Sequence, residues 1–358
     1  MFITTSLFEN QRRLMSANYR KDEDAVINGL LPIAKLSPAS RSQAWDRARD
    51  LVLGIRQSPL GKGGVDALLN EFALSSEEGV VLMCLAEALL RIPDKVTTDR
   101  LIRDKLGTGD WVSHLGNSDS FFVNASAWGL LLTGKVVNYN ESIPTKSGSQ
   151  KQEGQQQVNL LKRTINRLGE PVIRSSVRIA MQIMGAQFVM GTTIGAAITR
   201  ARKQEAKGYR YSYDMLGEGA RTMKDADAYM ASYLNAIKAI GEAAGGLGPI
   251  KSPGISVKLS ALHPRYEVAQ KQRVMDELVP RLKTLALAAS LYDIGLTVDA
   301  EEADRLDLSL DIIEAVFSDP DLLAWQGFGI AIQAYQKRAL DVVDWANSLA
   351  ETVGRKMM

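Results

Sequence analysis

From residue 208 onward, short apolar runs alternate with long helical patterns, and this alternation limits the fold more than any other feature of the chain. The apolar runs cover 254–259, 295–299 and 329–333. Before them, a mixed aromatic and polar run, Tyr209-Arg210-Tyr211-Ser212-Tyr213, leads to Asp214. Helical patterns fill the intervals at 224–244, about 267–291, 303–317 and 339–350. Strands and helices alternating with this regularity call for a parallel sheet. No Gly-x-Gly-x-x-Gly follows a strand, which weakens the open, dinucleotide-binding sheet. Each strand ends instead in a polar residue capable of chemistry: Asp214, Lys258, Asp299 and Gln333. Sites assembled from the C-terminal ends of several strands are the habit of the (β/α)8 barrel. Residues 208–358 supply four units, and Lys356-Met357-Met358 reads as the start of a fifth strand. The expected fold is therefore a helical N-terminal region followed by α/β, a partial (β/α)8 TIM-type barrel with about four and a half of eight units present. The chain is expected to stop inside that barrel.

The preceding residues read as helix. Ser75 stands three residues before Glu78, the spacing of a capping box, and the run 79–92 that follows is apolar on most faces until Pro93 ends it. Residues 138–157 then hold Ser, Gly, Gln, Asn, Lys and Glu with almost no apolar side chain, too little to offset the entropy of ordering. The expected plan is an N-terminal helical arm (1–63), a helical domain (64–137), a flexible linker (138–159), helices leading into the barrel (160–207), and the incomplete barrel (208–358).

Charged residues make up 23% of the chain and nearly cancel, at a formal net charge of +2. That balance does not suggest a polyanion partner, and no basic stripe with interleaved aromatics appears. Cys84 stands alone, so no internal disulfide forms and a reducing compartment is expected. The first residues lack a charged segment followed by an apolar one, and no run approaches the ~20 apolar residues of a membrane helix. A cytoplasmic protein is expected, with a peripheral membrane contact as the alternative. Two histidines, His114 and His263, and one cysteine leave a transition metal without ligands, and no metal is expected. Glu301 and Glu302 are expected to cap the helix that follows them. His263 reads as a loop histidine satisfied by backbone.

Lys258 is the strongest single candidate. A lysine among β-formers, in Ser256-Val257-Lys258-Leu259-Ser260, carries a desolvation cost unless it is paired. It can simply snorkel into water. It can bind a substrate carboxylate by a charge-assisted bond worth roughly 1.5–3 kcal/mol. It can also form a Schiff base. Asp299, one strand along, is placed to pair with it, because neighbouring strands lie about 4.8 Å apart. Gln333 suits a heterocycle edge, or a loop backbone.

Longer stretches carry a family resemblance. Arg210-Tyr211-Ser212-Tyr213-Asp214-Met215-Leu216-Gly217-Glu218 resembles the first barrel strand of PutA-type proline dehydrogenases. Ser256-Val257-Lys258-Leu259-Ser260-Ala261-Leu262-His263-Pro264-Arg265-Tyr266 resembles their second. Asp299-Ala300-Glu301-Glu302-Ala303-Asp304-Arg305-Leu306 and Ile332-Gln333-Ala334-Tyr335-Gln336-Lys337-Arg338 resemble the third and fourth. The resemblance implies FAD-dependent oxidation of L-proline to Δ1-pyrroline-5-carboxylate, with electrons passed to membrane quinone, in a homo-oligomer. It gives Lys258 and Asp299 catalytic roles, Lys258, Glu218 and Asp214 substrate contacts, and Gln333 and Asp299 flavin contacts. It also implies an NAD-dependent aldehyde dehydrogenase half, absent from this chain, and residues beyond Met358 without which this chain is expected to be inactive. No ribbon-helix-helix pattern is found at 1–35, so DNA is not expected as a partner. Two other readings stand beside this one: a Schiff-base (β/α)8 lyase using Lys258, and a non-catalytic helical dimerisation module at 1–136.

Overall fold

The computed structural model describes residues 6–57, 97, 100, 101 and 189–358. The capping box at Ser75 and Glu78, the helix at 79–92 and the linker lie outside the described residues. Two compact units divide the chain. One is Leu36–Thr192, whose described helix α3 (Pro38–Gln57) buries none of its residues. The other joins Met1–Lys35 to Thr193–Met358.

The second of these units carries helices α1 (Ser6–Tyr19) and α2 (Glu23–Ala34), then α4 (Ile194–Glu205) and a four-unit α/β succession. Strand β1 (Ser212–Asp214) is followed by α5 (Met223–Ala244), and β2 (Gly254–Val257) by the single turn α6 (Leu259–Leu262) and α7 (Lys271–Leu291). Strand β3 (Leu296–Val298) precedes α8 (Leu306–Phe317), and β4 (Phe328–Ile330) precedes α9 (Ala339–Val353). The strands lie in chain order and every neighbouring pair is parallel, as the alternation requires. Beyond β4, the Met358 N–H donates to the Phe328 carbonyl and its own carbonyl accepts from the Ile330 N–H, both at 3.0 Å.

Alternation along the strands divides the sheet into two faces. Tyr213, Ile255, Val257, Leu296, Val298 and Phe328 are buried on the helix side. The opposite face carries Ser212 and Asp214, Gly254 and Ser256, Thr297, and Gly329. The Ser212 and Ser256 hydroxyls meet there at 3.2 Å. Gly254 has a steric reason: a Cβ would lie 2.8 Å from the Gly295 carbonyl oxygen, which accepts the Ile255 N–H of the ladder.

The helices start and stop for local reasons. Thr222 and Asp225 cap α5 reciprocally, and Gly245, at φ +69°, closes it. The buried residues Ala226, Tyr233, Ile237, Ile240 and Ala244 recur on one face of α5 at helical spacing. Gly241 lets Tyr292 approach, since a Cβ there would lie 2.1 Å from the ring. α1 lies against α9, burying Phe8 and Met15, with Arg12 over the Trp345 ring at 4.8 Å.

Several expected elements are shorter than the sequence suggests; the run 329–333, for one, is extended only to Ile330, which leaves Gln333 three residues beyond β4. The run 254–259 stays extended only to Val257, and Lys258 becomes the N-cap residue of α6. A short apolar run does not by itself distinguish strand from buried helix. The 267–291 and 303–317 patterns each open with a 3-10 turn, at Val268–Gln270 and Ala303–Arg305.

Candidate active site

Three of the predicted residues meet at the C-terminal ends of β1, β2 and β3. The register sets Asp214 beside Ser256, so Lys258 emerges two residues further along on the same face. Its Nζ donates to both Asp214 carboxylate oxygens at 3.0 Å and to Asp299 Oδ2 at 2.7 Å. The side chain of Lys258 is 12% exposed, against 50% for Asp214 and 32% for Asp299. Burial by itself pulls the ammonium pKa down, but the bonds the ammonium donates to Asp299 and Asp214 outweigh this and hold Lys258 above its ordinary 10.5. The expected pairing of Lys258 with Asp299 is present, and Asp214 joins it. A Schiff base requires the neutral amine, which this arrangement opposes.

The backbone beneath the lysine is also fixed. The Lys258 N–H donates to the hydroxyl of Tyr233, whose pKa burial pushes up to about 12. Asp299 N–H donates to the Val257 carbonyl, and Asp299 Oδ1 accepts the Ala300 N–H. Gln333 is not among the hydrogen-bond partners of Lys258 Nζ; its own Nε2 donates to the Ala300 carbonyl at 3.0 Å, one residue from Asp299. A cleft between the β3 and β4 loops and helices α8 and α9 is lined by Tyr266, Asp299, Glu301, Gln333, Gln336 and Ile330, among others. Glu218 stands apart, exposed in the loop after β1 between Gly217 (φ +119°) and Gly219 (φ +65°).

Glu301 departs from its expected role. Neither it nor Glu302 caps a helix with its side chain. Glu301 instead accepts the Ser260 N–H at 2.9 Å and the Ser260 hydroxyl. Ser260 in turn accepts the Gly219 N–H on its hydroxyl oxygen and the Ala220 N–H on its carbonyl. The pair thus ties the loop carrying Glu218 to the loop after β3. Burial raises the Glu301 pKa, against the opposing bonds from Ser260. Sequence reasoning missed this because the partners lie 41 residues apart. The one available signal was a serine within the apolar turn 259–262. His263 is buried, its Nδ1 accepting the Arg265 N–H and its Nε2 facing Glu277 at 2.9 Å.

Three family models match in succession. Residues 10–56 match the proline utilization A proline dehydrogenase N-terminal domain, 64–188 the DNA-binding domain of proline dehydrogenase, and 197–358 proline dehydrogenase itself. The bifunctional protein PutA of Salmonella typhimurium is 52% identical over 351 residues, 97% of this chain and 26% of that protein. Over 97% of its length the chain is similar to PutA, and residues 197–358 match the proline dehydrogenase model. PutA of Rhizobium meliloti is 48% identical over 347 residues. The crystal structure of Bradyrhizobium japonicum PutA, mutant D779Y, matches with a TM-score of 0.61 at 45% identity, covering 95% of this chain and 32% of that one. The chain therefore spans about a quarter of the length of these curated PutA relatives. The expectation that DNA is not a partner does not stand beside these matches, since one PutA-family model carries a DNA-binding description. That expectation rested on residues 1–35, whereas the match covers 64–188. Among the described residues, no helix is long and apolar enough to cross a membrane, and no group of three or more His, Cys, Asp or Glu side chains is placed to hold a metal ion.

Proposed function

We propose that this protein oxidises L-proline to Δ1-pyrroline-5-carboxylate, with FAD as hydride acceptor and quinone as the final electron acceptor. The observation that carries the reading is Lys258, held as an ammonium between Asp214 and Asp299 at the ends of adjacent strands. Such a cation suits the carboxylate of an amino acid. Asp214 is the more exposed partner, and a substrate carboxylate exchanges with it while Asp299 keeps its bond. Bound FAD supplies the hydride chemistry. The residues present fit such a cofactor. Barrel interiors are usually filled by bulky branched side chains, but here the corresponding face carries Ser, Thr, Asp and Gly. Gln333 has an amide N–H beyond the one given to Ala300, suited to the polar edge of a heterocycle. Asp299 supports Lys258 beside that edge, and Glu218 serves the substrate mouth. By family, the rest of the protein is proposed to hold an NAD-dependent aldehyde dehydrogenase, and the whole to be a cytoplasmic homo-oligomer touching the membrane where quinone resides.

Anaerobic addition of L-proline to the full-length protein tests this directly. Loss of the oxidised flavin absorbance, with Δ1-pyrroline-5-carboxylate as product, is expected. A protein that takes up no flavin, or whose flavin proline leaves oxidised, contradicts the reading. DNA contact by residues 64–188 is a second proposal, supported by the description of the family model matched there. Salt-sensitive retardation of a labelled duplex by the full-length protein supports it, and no retardation at low ionic strength removes it.

A further inference from the structure

The loop after β4 is held from behind by the N-terminal helix. Arg338 is 1% exposed, and its carboxylate partner, Asp307, lies 3.4 Å away. Its Nη2 donates to the Ala303 carbonyl at 2.6 Å and its Nε to Gln336 Oε1 at 3.2 Å. The ring of Tyr19, from α1, lies 4.0 Å from the guanidinium, and the Tyr19 hydroxyl donates to Asp304. From Gln336 the bonds continue: its Nε2 donates to Gln333 Oε1 at 2.8 Å, and Gln333 Nε2 donates to the Ala300 carbonyl at 3.0 Å. The two ends of this series leave the amides no choice. Arginine can only donate, so Gln336 must turn its oxygen to Arg338 and its nitrogen to Gln333. A carbonyl can only accept, so Gln333 must turn its nitrogen to Ala300 and its oxygen to Gln336.

We propose that Arg338 is a positioning residue for Gln333, setting through Gln336 which end of the Gln333 amide a cofactor meets, and that α1 completes this mount through Tyr19. The proposal rests on the flavin reading of the site. Without Arg338, Gln336 can turn its oxygen toward Gln333 Oε1, and Gln333 must then give up its partner at Gln336 or turn its nitrogen away from the Ala300 carbonyl, so its amide no longer holds one orientation.

Gln336→Glu in the full-length protein separates positioning from simple support. A carboxylate pairs with Arg338 at least as well as an amide but cannot donate to Gln333, so it sets an oxygen against Gln333 Oε1 and competes with the Ala300 carbonyl for the Gln333 nitrogen. Apoprotein stability should not fall, while FAD affinity, read by quenching of flavin fluorescence, should drop about tenfold. FAD affinity within about twofold of wild type would overturn the proposal. Amide exchange reads the mount without flavin. Tyr19→Ala should speed exchange across both 300–307 and 331–338, whereas Lys337→Ala, which removes only the exposed bond to the Lys21 carbonyl, should speed neither. Unchanged exchange in Tyr19→Ala removes α1 from the mount. A wild-type protein that takes up no FAD sinks the flavin reading alone, and the exchange measurement then decides the mount.

Discussion

Lys258 keeps its charge because two carboxylates outweigh its burial. A cation whose folded pKa is raised contributes stability that is fully present below its ordinary 10.5 and is lost only as pH rises through the higher folded value. Its hold on a substrate carboxylate should thus not vary between roughly pH 6 and 9. Lys258→Met should raise the KM for proline roughly 10-fold to 100-fold while the circular dichroism spectrum stays unchanged. An unaltered KM would remove Lys258 from the substrate site, and borohydride trapping of substrate on Lys258 would revive the Schiff-base reading. Glu301 behaves in the opposite sense to an exposed acid. Burial raises its pKa above 4.5, so its contribution is fully present below that value and declines as pH rises through the folded pKa. Glu301→Gln should therefore gain in Tm relative to wild type as pH goes from about 5 to about 8. A constant Tm difference across that range would contradict the assignment. Lys258 and Asp299 were legible in the sequence, because a charged residue at the end of an apolar run marks its own position; Gln333, expected at a strand end, lies three residues beyond β4. Ser260 and Glu301 were not, because their meaning comes only from meeting each other across the sheet.

At the scale of elements, alternation made strand order and helix order readable, and the sheet is parallel as expected. The ends of the elements were less readable. The turn at Leu259–Leu262 is as apolar as the strand before it, and only tertiary packing decides where extension stops. The spacing of β2 against β3 depends on a missing side chain. Gly254→Ala places a methyl group 2.8 Å from the backbone oxygen of Gly295, which moves only if the ladder moves. A loss of about 1–3 kcal/mol is expected in urea unfolding. A variant as stable as wild type would show that the two strands can part without disturbing their bonds.

At the scale of the molecule, the sequence indicated a helical arm but not where it would rest. Its partners are spread along α8 and α9, and no local pattern in residues 1–35 points to them. Gln11 donates to the Asp344 carbonyl and to Ser348, Asn18 donates to Asp341, and Arg12 reaches the Asp307 carbonyl and Glu314. Met15 is fully buried in this contact. Met15→Ala should cost about 2–5 kcal/mol of unfolding free energy, as a core truncation does. A surface-like value below about 0.5 kcal/mol would show that α1 is detachable.

The union of Met1–Lys35 with Thr193–Met358 also sets an order of events during synthesis. α1 leaves the ribosome long before its partners, which lie from 285 positions later, for Tyr19 and Asp304, to 337, for Gln11 and Ser348. At roughly 5–20 residues per second, Phe8 and Met15 stay uncovered for tens of seconds before α9 is translated. The nascent chain must therefore pass through a stage in which α1 is sticky and its docking face does not yet exist. Chaperone capture at that stage would compete with the docking of α1.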